Sequence, residues 1–391
     1  AFTVMKGKNP VSIPKKYQEI LFSIGTYAEK LGTKAWIVGG AVRDFYLGRD
    51  TLDIDLSFEG NVDPLAGFAV KRWGGSKHKF SQFSTFRVNL TTGLKLDMVR
   101  ARRESYPRAG VLPEVTPSCI KDDMFRRDFT ANSWALSIMP GSFGVSFDPF
   151  GAQKDIDAGI IRILHPKSFL DDPTRMCRAV RFAGRFGWKL APKTEELLKE
   201  AVKQQYPLLL SRERLTREFL KINKEKEIKR ILEMMRAYGM LQFVYPGLEW
   251  HDGLNRVKTV DERLGVMVCS LGKSGEEFLK SMRVKKELAQ EILEAWKVSE
   301  SCHAPLRALT PMQQAVIRAV HPGLKKYALE PCFLRGRDLK ELGLAGRRIS
   351  CALERCRRMQ WDGKVSSRED ALKIVQVCFG SSNCMGDVPS A

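Results

Sequence analysis

Two acidic residues, Asp53 and Asp55, have the residue type and spacing of a metal-binding pair. They stand in the segment TLDIDLSF, whose composition favours a β-strand. Because side chains at i and i+2 of a strand point to the same face of a sheet, the two carboxylates can lie together. Mg²⁺ prefers such oxygen ligands, and two metal ions about 3.5–4 Å apart assist in-line phosphoryl transfer. A DxD on its own is more often a solvated strand edge, so its neighbours decide its meaning.

A glycine pair lies a short distance upstream of these carboxylates. A buried strand is predicted at residues 35–38, and it ends at Gly39 and Gly40. Glycines let the backbone approach a phosphate closely, with N–H groups facing it. Arg43 follows as a candidate phosphate partner, since a guanidinium binds phosphate through paired hydrogen bonds. The segment therefore predicts a triphosphate cradle beside the metal pair.

The elements that position these residues follow from hydrophobic periodicity and turn residues. The pattern predicts a helix at 14–31 and strands at 35–38, 52–58, 84–90 and 94–100. The last two strands form a predicted hairpin. Asp97 in its second strand is a candidate third metal carboxylate, although a solvent-facing aspartate is equally compatible with the pattern.

The rest of the chain changes from mixed to helical character. Residues 101–118 contain prolines and little periodicity, which predicts a long loop, whereas residues 121–139 return to a helical pattern. Pro166 marks a boundary. Helical patterns follow it at 168–186, 194–204, 212–223, 226–238, 275–298 and 335–360. The chain is therefore predicted to be an α+β head followed by helical modules.

Composition narrows the class of partner. The chain has 391 residues with a formal net charge of +20, which favours a polyanion such as nucleic acid. Neither a long apolar stretch nor a basic amphipathic anchor stands out, so a membrane is not expected as a partner. The nine cysteines are odd in number and form no CxxC pair, which indicates neither a disulfide framework nor a zinc site. We expect a cytoplasmic protein without a secretory signal.

A charged segment with the sequence RRDFTAN occupies residues 126–132. The paired Arg126 and Arg127 are suited to a triphosphate or a base edge. Asp128 can accept a hydrogen bond from a ribose hydroxyl, which would select ribonucleotides over deoxyribonucleotides. Considered alone, the segment is equally compatible with a charged helix start.

A second charged segment, DDPTRMCR, occupies residues 171–178. On a helix, Asp172 and Arg175 would share a face. A carboxylate that accepts from an amino group beside an arginine that donates to a ring nitrogen matches the edges of cytosine and adenine. Uracil and guanine present the reverse order, and each mismatch costs roughly 1–3 kcal/mol. The alternative is an ordinary surface ion pair.

Together, the segments GGAVRD, LDIDL, RRDFTAN and DDPTR resemble the class II tRNA nucleotidyltransferases of the DNA polymerase β-type superfamily. That family includes CCA-adding enzymes, A-adding enzymes and bacterial poly(A) polymerases. The resemblance is strong from about residue 33 to about 220 and weaker to about 375. Small departures are Ala131, Ser133 and Asp171, where the family has Ile, Ala and Glu.

The resemblance implies roles for particular residues. It implies two Mg²⁺ ions held by the catalytic Asp53 and Asp55, and Asp97 is the candidate third metal ligand. It implies a nucleotide site formed by Gly39, Gly40, Arg43, Arg127, Asp128, Asn132, Asp172, Arg175 and Arg178. It implies tRNA contacts from Arg347, Arg348 and Arg355, which give affinity without sequence readout.

The resemblance also implies a domain plan and an activity. The plan is a polymerase β-type head with a mixed sheet at 1–166, a neck at 167–225, a body at 226–300 and a tail at 301–391. The expected partners are the 3′ end and elbow of tRNA, with CTP and ATP as substrates. The retained segment 101–118 disfavours CC-only addition. Full CCA addition, A addition alone, poly(A) synthesis, a catalytically silent RNA-binding protein and the oligomeric state all stay open.

Overall fold

The computed structural model describes residues 11–80 and 85–379. They divide into two compact units, the first ending at Ser211 and the second beginning at Arg212. The first unit combines helices with sheets, and the second is built of helices in its described part. The predicted α+β head followed by helical modules is therefore confirmed, while the four-domain plan stays a prediction.

The first unit contains a mixed sheet with the strand order β3-β4-β5-β2-β1-β8-β9. The strands of the chain are β1 Ala35–Val38, β2 Asp53–Phe58, β3 Gly75–Phe80, β4 Thr85–Leu90, β5 Lys95–Arg100, β6 Arg102–Ser105, β7 Glu114–Pro117, β8 Ala135–Ser137, β9 Ser146–Phe147, β10 Ile160–Ile161 and β11 Lys189–Leu190. Strand β2 pairs with β1 antiparallel and with β5 parallel. The predicted strands and the β4–β5 hairpin are confirmed.

Helices pack on both faces of that sheet. Those of the first unit are α1 Lys15–Lys30, α2 Gly40–Tyr46, α3 Asp63–Trp73, α4 Ile120–Phe125, α5 Ala152–Asp157, α6 Ser168–Asp171, α7 Thr174–Phe186 and α8 Pro192–Lys203. Helices α1 and α3 pack on one face, and α4 packs against Trp36, Val38 and Ala135 on the other. In β2, Ile54, Leu56 and Phe58 are fully buried in a core shared with α1 and α3. Because successive strand residues alternate in direction, Asp53 and Asp55 lie on the other face.

The second unit is a succession of helices. They are α9 Arg212–Asn223, α10 Ile228–Ala237, α11 Leu241–Val244, α12 Val260–Leu271, α13 Gly275–Ser281, α14 Lys286–Ser301, α15 Pro311–Val320, α16 Gly336–Glu341, α17 Arg347–Trp361 and α18 Arg368–Phe379. Leu339 of α16, Ala352 of α17 and Val375 of α18 belong to one small core. None of the described helices in either unit is long and apolar enough to cross a membrane.

Two predictions about local structure between residues 101 and 139 were wrong. Residues 101–118 are not an irregular loop, because β6 and β7 pair antiparallel, and the Ser118 N–H donates to the Ala101 carbonyl at the open end of the hairpin. Prolines at its tip and end concealed this short pairing. The helix predicted at 121–139 stops after α4, because the Asp128 carboxylate accepts from the Phe129 N–H and turns the chain toward β8.

The predicted helix at 168–186 is broken between α6 and α7. Asp172 has extended backbone angles, φ −138° and ψ 94°, as expected for a residue before proline. Its side chain accepts from the N–H and hydroxyl of Thr174, the first residue of α7. Asp172 therefore precedes the helix that carries Arg175, so the expectation of one continuous helical face was wrong.

Two helical glycines differ in the space around them, and we expect opposite effects from alanine. At Gly25 in α1, an added Cβ would lie 1.7 Å from the Ile138 carbonyl oxygen, whereas at Gly67 in α3 it would meet only the Lys77 ammonium at 3.7 Å. Gly25→Ala should lower the free energy of unfolding by at least about 2 kcal/mol. Gly67→Ala should raise it by up to about 1 kcal/mol through helix propensity.

Urea denaturation of both variants and the unsubstituted chain measures this difference. Equal effects of the two substitutions would contradict the close approach of α1 to the segment after β8.

Candidate active site

The predicted acidic pair is brought to one face of β2. Asp55 lies opposite Val38 of β1 and Asp97 of β5, and Asp53 lies opposite Lys95. The Asp53 side chain is 80% exposed, with the Lys95 ammonium 4.0 Å away. Asp55, one pleat further into the sheet, is partly buried. The strand therefore presents one open and one sheltered carboxylate on the same face.

Burial makes the charged form of the sheltered Asp55 carboxylate less favourable. Burial raises the pKa of Asp55; the Arg127 guanidinium opposes that shift, while the Asp97 and Asp53 carboxylates add to it. Within the described residues, Asp55 makes no side-chain hydrogen bond or ion pair of its own. A carboxylate that is partly desolvated without donors is a strong ligand for a cation.

The turn between β1 and α2 lies directly beside Asp55. Gly39 has a φ of 76°, which favours glycine. A Cβ there would lie 2.3 Å from the Arg127 Nη1 and 3.5 Å from the Asp55 Oδ2. The Arg127 guanidinium therefore packs against the backbone of this turn, and Gly40 begins α2 immediately after it.

Arg127 retains capacity to bind an anion. Its Nη2 donates to the Asp123 Oδ2 at 3.3 Å, but its buried Nε has no partner within the described part of the chain. The site therefore brings together the backbone of a glycine turn, an arginine with an unused donor and two carboxylates. These are the groups that could hold a polyphosphate together with a divalent cation.

Asp97 is adjacent to Asp55 but is already paired. Arg87 donates to both Asp97 oxygens, at 2.7 and 2.6 Å. In the described residues, no group of three or more His, Cys, Asp or Glu side chains forms a ready-made metal cage. Mg²⁺ commonly uses one or two carboxylates and completes its shell with water and substrate phosphates. Asp53 and Asp55 fit that pattern, and Asp97 as a third ligand stays a prediction.

Asp128 is the most heavily bonded carboxylate of the site. Its Oδ1 accepts from the Phe129 N–H and from Asn132 at 2.9 Å, and its Oδ2 accepts from Arg178 at 2.8 and 2.6 Å. Burial would raise the pKa of Asp128, but Arg178 and Asn132 outweigh it and hold the pKa at about 2. Asp128 is therefore ionised, and all four of its lone-pair positions are in use.

Arg43 continues this network toward the glycine turn. Only 5% of Arg43 is exposed, and its guanidinium donates to the Asn132 side-chain oxygen and to Asp44. The same group lies 4.8 Å from the ring centre of Phe186 in α7. In this structure Arg43 positions Asn132, and its contact with a phosphate stays a prediction.

The predicted base-reading pair is organised by different neighbours. Asp172 caps α7 through Thr174, as described above. Arg175 is 4% exposed and donates to the Ser168 hydroxyl and to the Arg126 carbonyl, both at 2.8 Å. The two side chains come from the same short segment, and base reading by them stays a prediction.

Sequence reasoning missed the contribution of the β6–β7 hairpin. Glu104 accepts from Arg102, from Arg126 and from the Tyr106 hydroxyl. The Tyr106 hydroxyl also lies 3.4 Å from the Arg175 Nη2, and burial raises the pKa of that phenol. The segment RRES has no apolar–polar alternation, and prolines follow it, so the sequence pattern gave no signal for this strand.

The arginines predicted to bind RNA lie in the second unit. Arg347, Arg348 and Arg355 are exposed on α17, and Arg348 donates to the Phe379 carbonyl. The buried Ala352 and Cys356 anchor the opposite face of the same helix. The helix therefore offers a basic outer surface.

Two family models match this chain. Residues 35–162 match the Poly A polymerase head domain, and residues 189–251 match the probable RNA and SrmB-binding site of polymerase A. The first range contains the glycine turn, both carboxylates of β2 and Asp128. Over these two ranges the chain is similar to the Poly A polymerase family, and the head range includes the site described above.

Individual relatives show the same similarity. An A-adding tRNA nucleotidyltransferase of Aquifex aeolicus is 42% identical over 56% of this chain and 26% of its own length. A CCA-adding enzyme of Geobacillus stearothermophilus is 31% identical over 66% and 65% of the two chains. The chain spans only about a quarter to a half of the first curated relatives it matches, 26% to 51%.

Solved structures extend the likeness to both units. A CCA-adding enzyme in its apo form II has a TM-score of 0.72, 26% identity and coverage of 94% of this chain and 97% of its own. The Thermotoga maritima CCA-adding enzyme complexed with tRNA has a TM-score of 0.68 at 25% identity, covering 94% and 96%.

We expect Asp55→Asn to stabilise the metal-free protein, because the substitution removes a partly buried charge that accepts no hydrogen bond from the part of the chain that the structure describes. The thermal midpoint in EDTA should rise, and the upward shift that Mg²⁺ gives the unsubstituted chain should shrink. Asp53→Asn is the matched control: it is exposed, so it should lose the Mg²⁺ response without a gain in EDTA. A lower midpoint for Asp55→Asn in EDTA would show that the carboxylate is satisfied by protein groups.

The lowered pKa of Asp128 predicts a pH-dependent contribution to stability. A carboxyl with an ordinary pKa of 3.8 when unfolded and about 2 when folded stabilises the fold by about 2 kcal/mol above pH 5. That contribution is lost as the pH falls from 4 toward 2. Urea denaturation of the unsubstituted chain and Asp128→Asn across this range should show the difference between them narrowing. A difference independent of pH would contradict the ion pair with Arg178.

Proposed function

We propose that this protein is a template-independent RNA nucleotidyltransferase that adds C, A or both, from CTP and ATP, to the 3′ end of tRNA. The 3′-hydroxyl would attack the α-phosphorus, and pyrophosphate would leave. The observation that carries the proposal is the sheltered Asp55 carboxylate, which receives no hydrogen bond from the described residues. It lies beside Asp53, the Gly39 turn and Arg127. Sites of this composition bind a metal with a polyphosphate.

The proposed cofactor is Mg²⁺, as two ions held by Asp53 and Asp55. When bound, the ions would neutralise charge on the attacking and leaving oxygens. The protein's own groups would hold the nucleotide: the backbone at Gly39 and Gly40 and the Arg127 guanidinium would bind the triphosphate. Asp97 would assist the metals after Arg87 releases it.

Nucleotide choice would rest on groups that are partly engaged in this structure. To accept from a ribose hydroxyl, Asp128 would have to give up a bond to Asn132 or Arg178, because its lone pairs are filled. To donate to a base, Arg175 would have to leave Ser168 or the Arg126 carbonyl. Nucleotide binding would therefore replace hydrogen bonds that Asp128 and Arg175 already make within the protein.

Addition of A alone is the second candidate. A-adding tRNA nucleotidyltransferases from three organisms, at 42%, 37% and 39% identity, favour it. Poly(A) synthesis is a variant of the same chemistry on a broader range of RNA. A catalytically silent RNA-binding protein is the non-enzyme alternative, and the two carboxylates on β2 argue against it.

The proposed partner is tRNA, which is a polyanion suited to a chain with a net charge of +20. The head would hold the 3′ end, and Arg347, Arg348 and Arg355 on α17 would contact phosphates near the elbow. We place the reaction in the cytoplasm, where tRNA, CTP and ATP occur together.

Single-nucleotide addition assays test the proposal. Purified protein is given tRNA ending at the discriminator base or at CC, with each of the four nucleoside triphosphates in turn. Addition of C and then A supports CCA synthesis, A on the CC substrate alone supports the second candidate, and long A tracts on unrelated RNA support poly(A) synthesis.

Asp53→Ala should slow addition roughly a thousandfold or more while tRNA binding is retained, because a metal anchor is lost.

Asp63→Ala is the matched control, since Asp63 is an exposed aspartate of α3 that pairs with Lys77. It should leave the rate unchanged. Full activity of Asp53→Ala would remove the metal assignment, and RNA binding with no incorporation by the unsubstituted chain would favour the silent binding protein.

A further inference from the structure

Two thiols lie together in the second unit, in a region that the proposed chemistry does not use. The Sγ atoms of Cys332 and Cys356 are 4.0 Å apart. Cys356 is buried on the inner face of α17, with 2% of its surface exposed, whereas Cys332 is half-buried in the segment before α16. Both are free thiols. Closing the gap to a covalent bond of about 2.05 Å requires a movement of about 2 Å.

Hydrogen bonds from the Gln360 side chain fix the chain around the two thiols. Gln360 is fully buried one helical turn after Cys356, on the same face of α17. Its amide donates to the carbonyls of Tyr327 and Glu330, and its oxygen accepts from the Phe333 N–H. The chain is therefore fixed on both sides of Cys332. The Cys332 N–H also donates to the Pro305 carbonyl.

The surroundings activate one thiol and not the other. The hydrogen bond with Cys356 lowers the pKa of Cys332. Burial opposes this shift, and the Leu334 N–H and the Arg357 guanidinium add to it. The same hydrogen bond, together with burial, raises the pKa of Cys356. A partly exposed thiolate beside a buried thiol is the arrangement of an attacking and a resolving cysteine.

We propose that Cys332 and Cys356 form a redox-active dithiol that closes reversibly to a disulfide. The oxidant is a low-molecular-weight disulfide such as oxidised glutathione. The Cys332 thiolate attacks one sulfur of that disulfide, forming a mixed disulfide and releasing one glutathione thiolate. The first glutathione thiolate takes the proton of the Cys356 thiol. The Cys356 sulfur then attacks the Cys332 sulfur, which forms the internal disulfide and releases the second glutathione as a thiolate. Two thiols are oxidised and one glutathione disulfide is reduced.

The dithiol is a separate property from the proposed nucleotidyl transfer. In a reducing compartment the pair stays open, and cytosolic disulfides of this kind are transient and respond to redox conditions. Closure would bond the segment before α16 to α17, the helix whose outer surface carries Arg347, Arg348 and Arg355. The pair is thus a modification site within the basic part of the second unit.

Peptide mass spectrometry of the native protein tests the proposal. The full chain is incubated with oxidised glutathione, remaining thiols are alkylated, and the digest is analysed for linked and glutathionylated peptides. We expect a peptide joining Cys332 to Cys356, at least roughly tenfold more abundant than Cys332 bearing glutathione, because the second step is intramolecular. Reduced glutathione should reopen it.

Two variants complete the test. Cys356→Ser should trap glutathione on Cys332, since the resolving thiol is gone. Cys351→Ser is the matched control on the exposed face of α17, and the cross-link should form at an unchanged rate. The proposal is overturned if no native cross-link forms, if it forms only after denaturation, or if Cys332 in Cys356→Ser reacts no faster than the exposed Cys119. These outcomes are independent of the nucleotide assays.

Discussion

The buried Asp128 carboxylate is the interaction on which the arrangement of the site depends. Through Asn132 it is linked to Arg43 of α2, which begins at the glycine turn, and through its own ion pair it is linked to Arg178 of α7. Removing one member of a buried network leaves another charge unpaired, at a cost of roughly 3–5 kcal/mol. The turn, the RRDFTAN segment and α7 must therefore form their contacts together, which fixes the phosphate-facing backbone relative to the helix that carries Arg175.

Asp128 and Asp55 lie in the same head, but their surroundings shift their pKa values in opposite directions. Donors outweigh burial at Asp128 and lower its pKa to about 2, whereas burial and neighbouring carboxylates raise the pKa of Asp55. The first charge is satisfied by the protein. The second receives no hydrogen bond from the described residues, and Arg127 offsets only part of the effect of burial. A partly buried carboxylate without hydrogen-bond donors lowers the free energy of unfolding. Groups with pKa values shifted in this way cluster at functional sites.

The sequence predicted the parts of the fold that depend on strong local patterns. The alternation in β2 placed Asp53 and Asp55 on one face, and the Gly-containing turn predicted the β4–β5 hairpin; both are confirmed. The β6–β7 hairpin was missed because short strands flanked by prolines lack periodicity. The pairing of Asp97 with Arg87 required knowledge of cross-strand register, and the engagement of Arg175 required tertiary contacts from a segment that is distant in sequence.

Those tertiary contacts connect the hairpin to the predicted base-reading arginine. Tyr106 and the Arg126 carbonyl both contact the Arg175 guanidinium, and Glu104 binds Tyr106 and Arg126 together. Arg175 is nearly inaccessible, so a donor released from these partners would have to find another acceptor at once. A nucleotide base could supply that acceptor. If the hairpin moved and took Tyr106 with it, a buried donor of Arg175 would lose its acceptor. Movement of the hairpin would therefore require that donor to find a new acceptor.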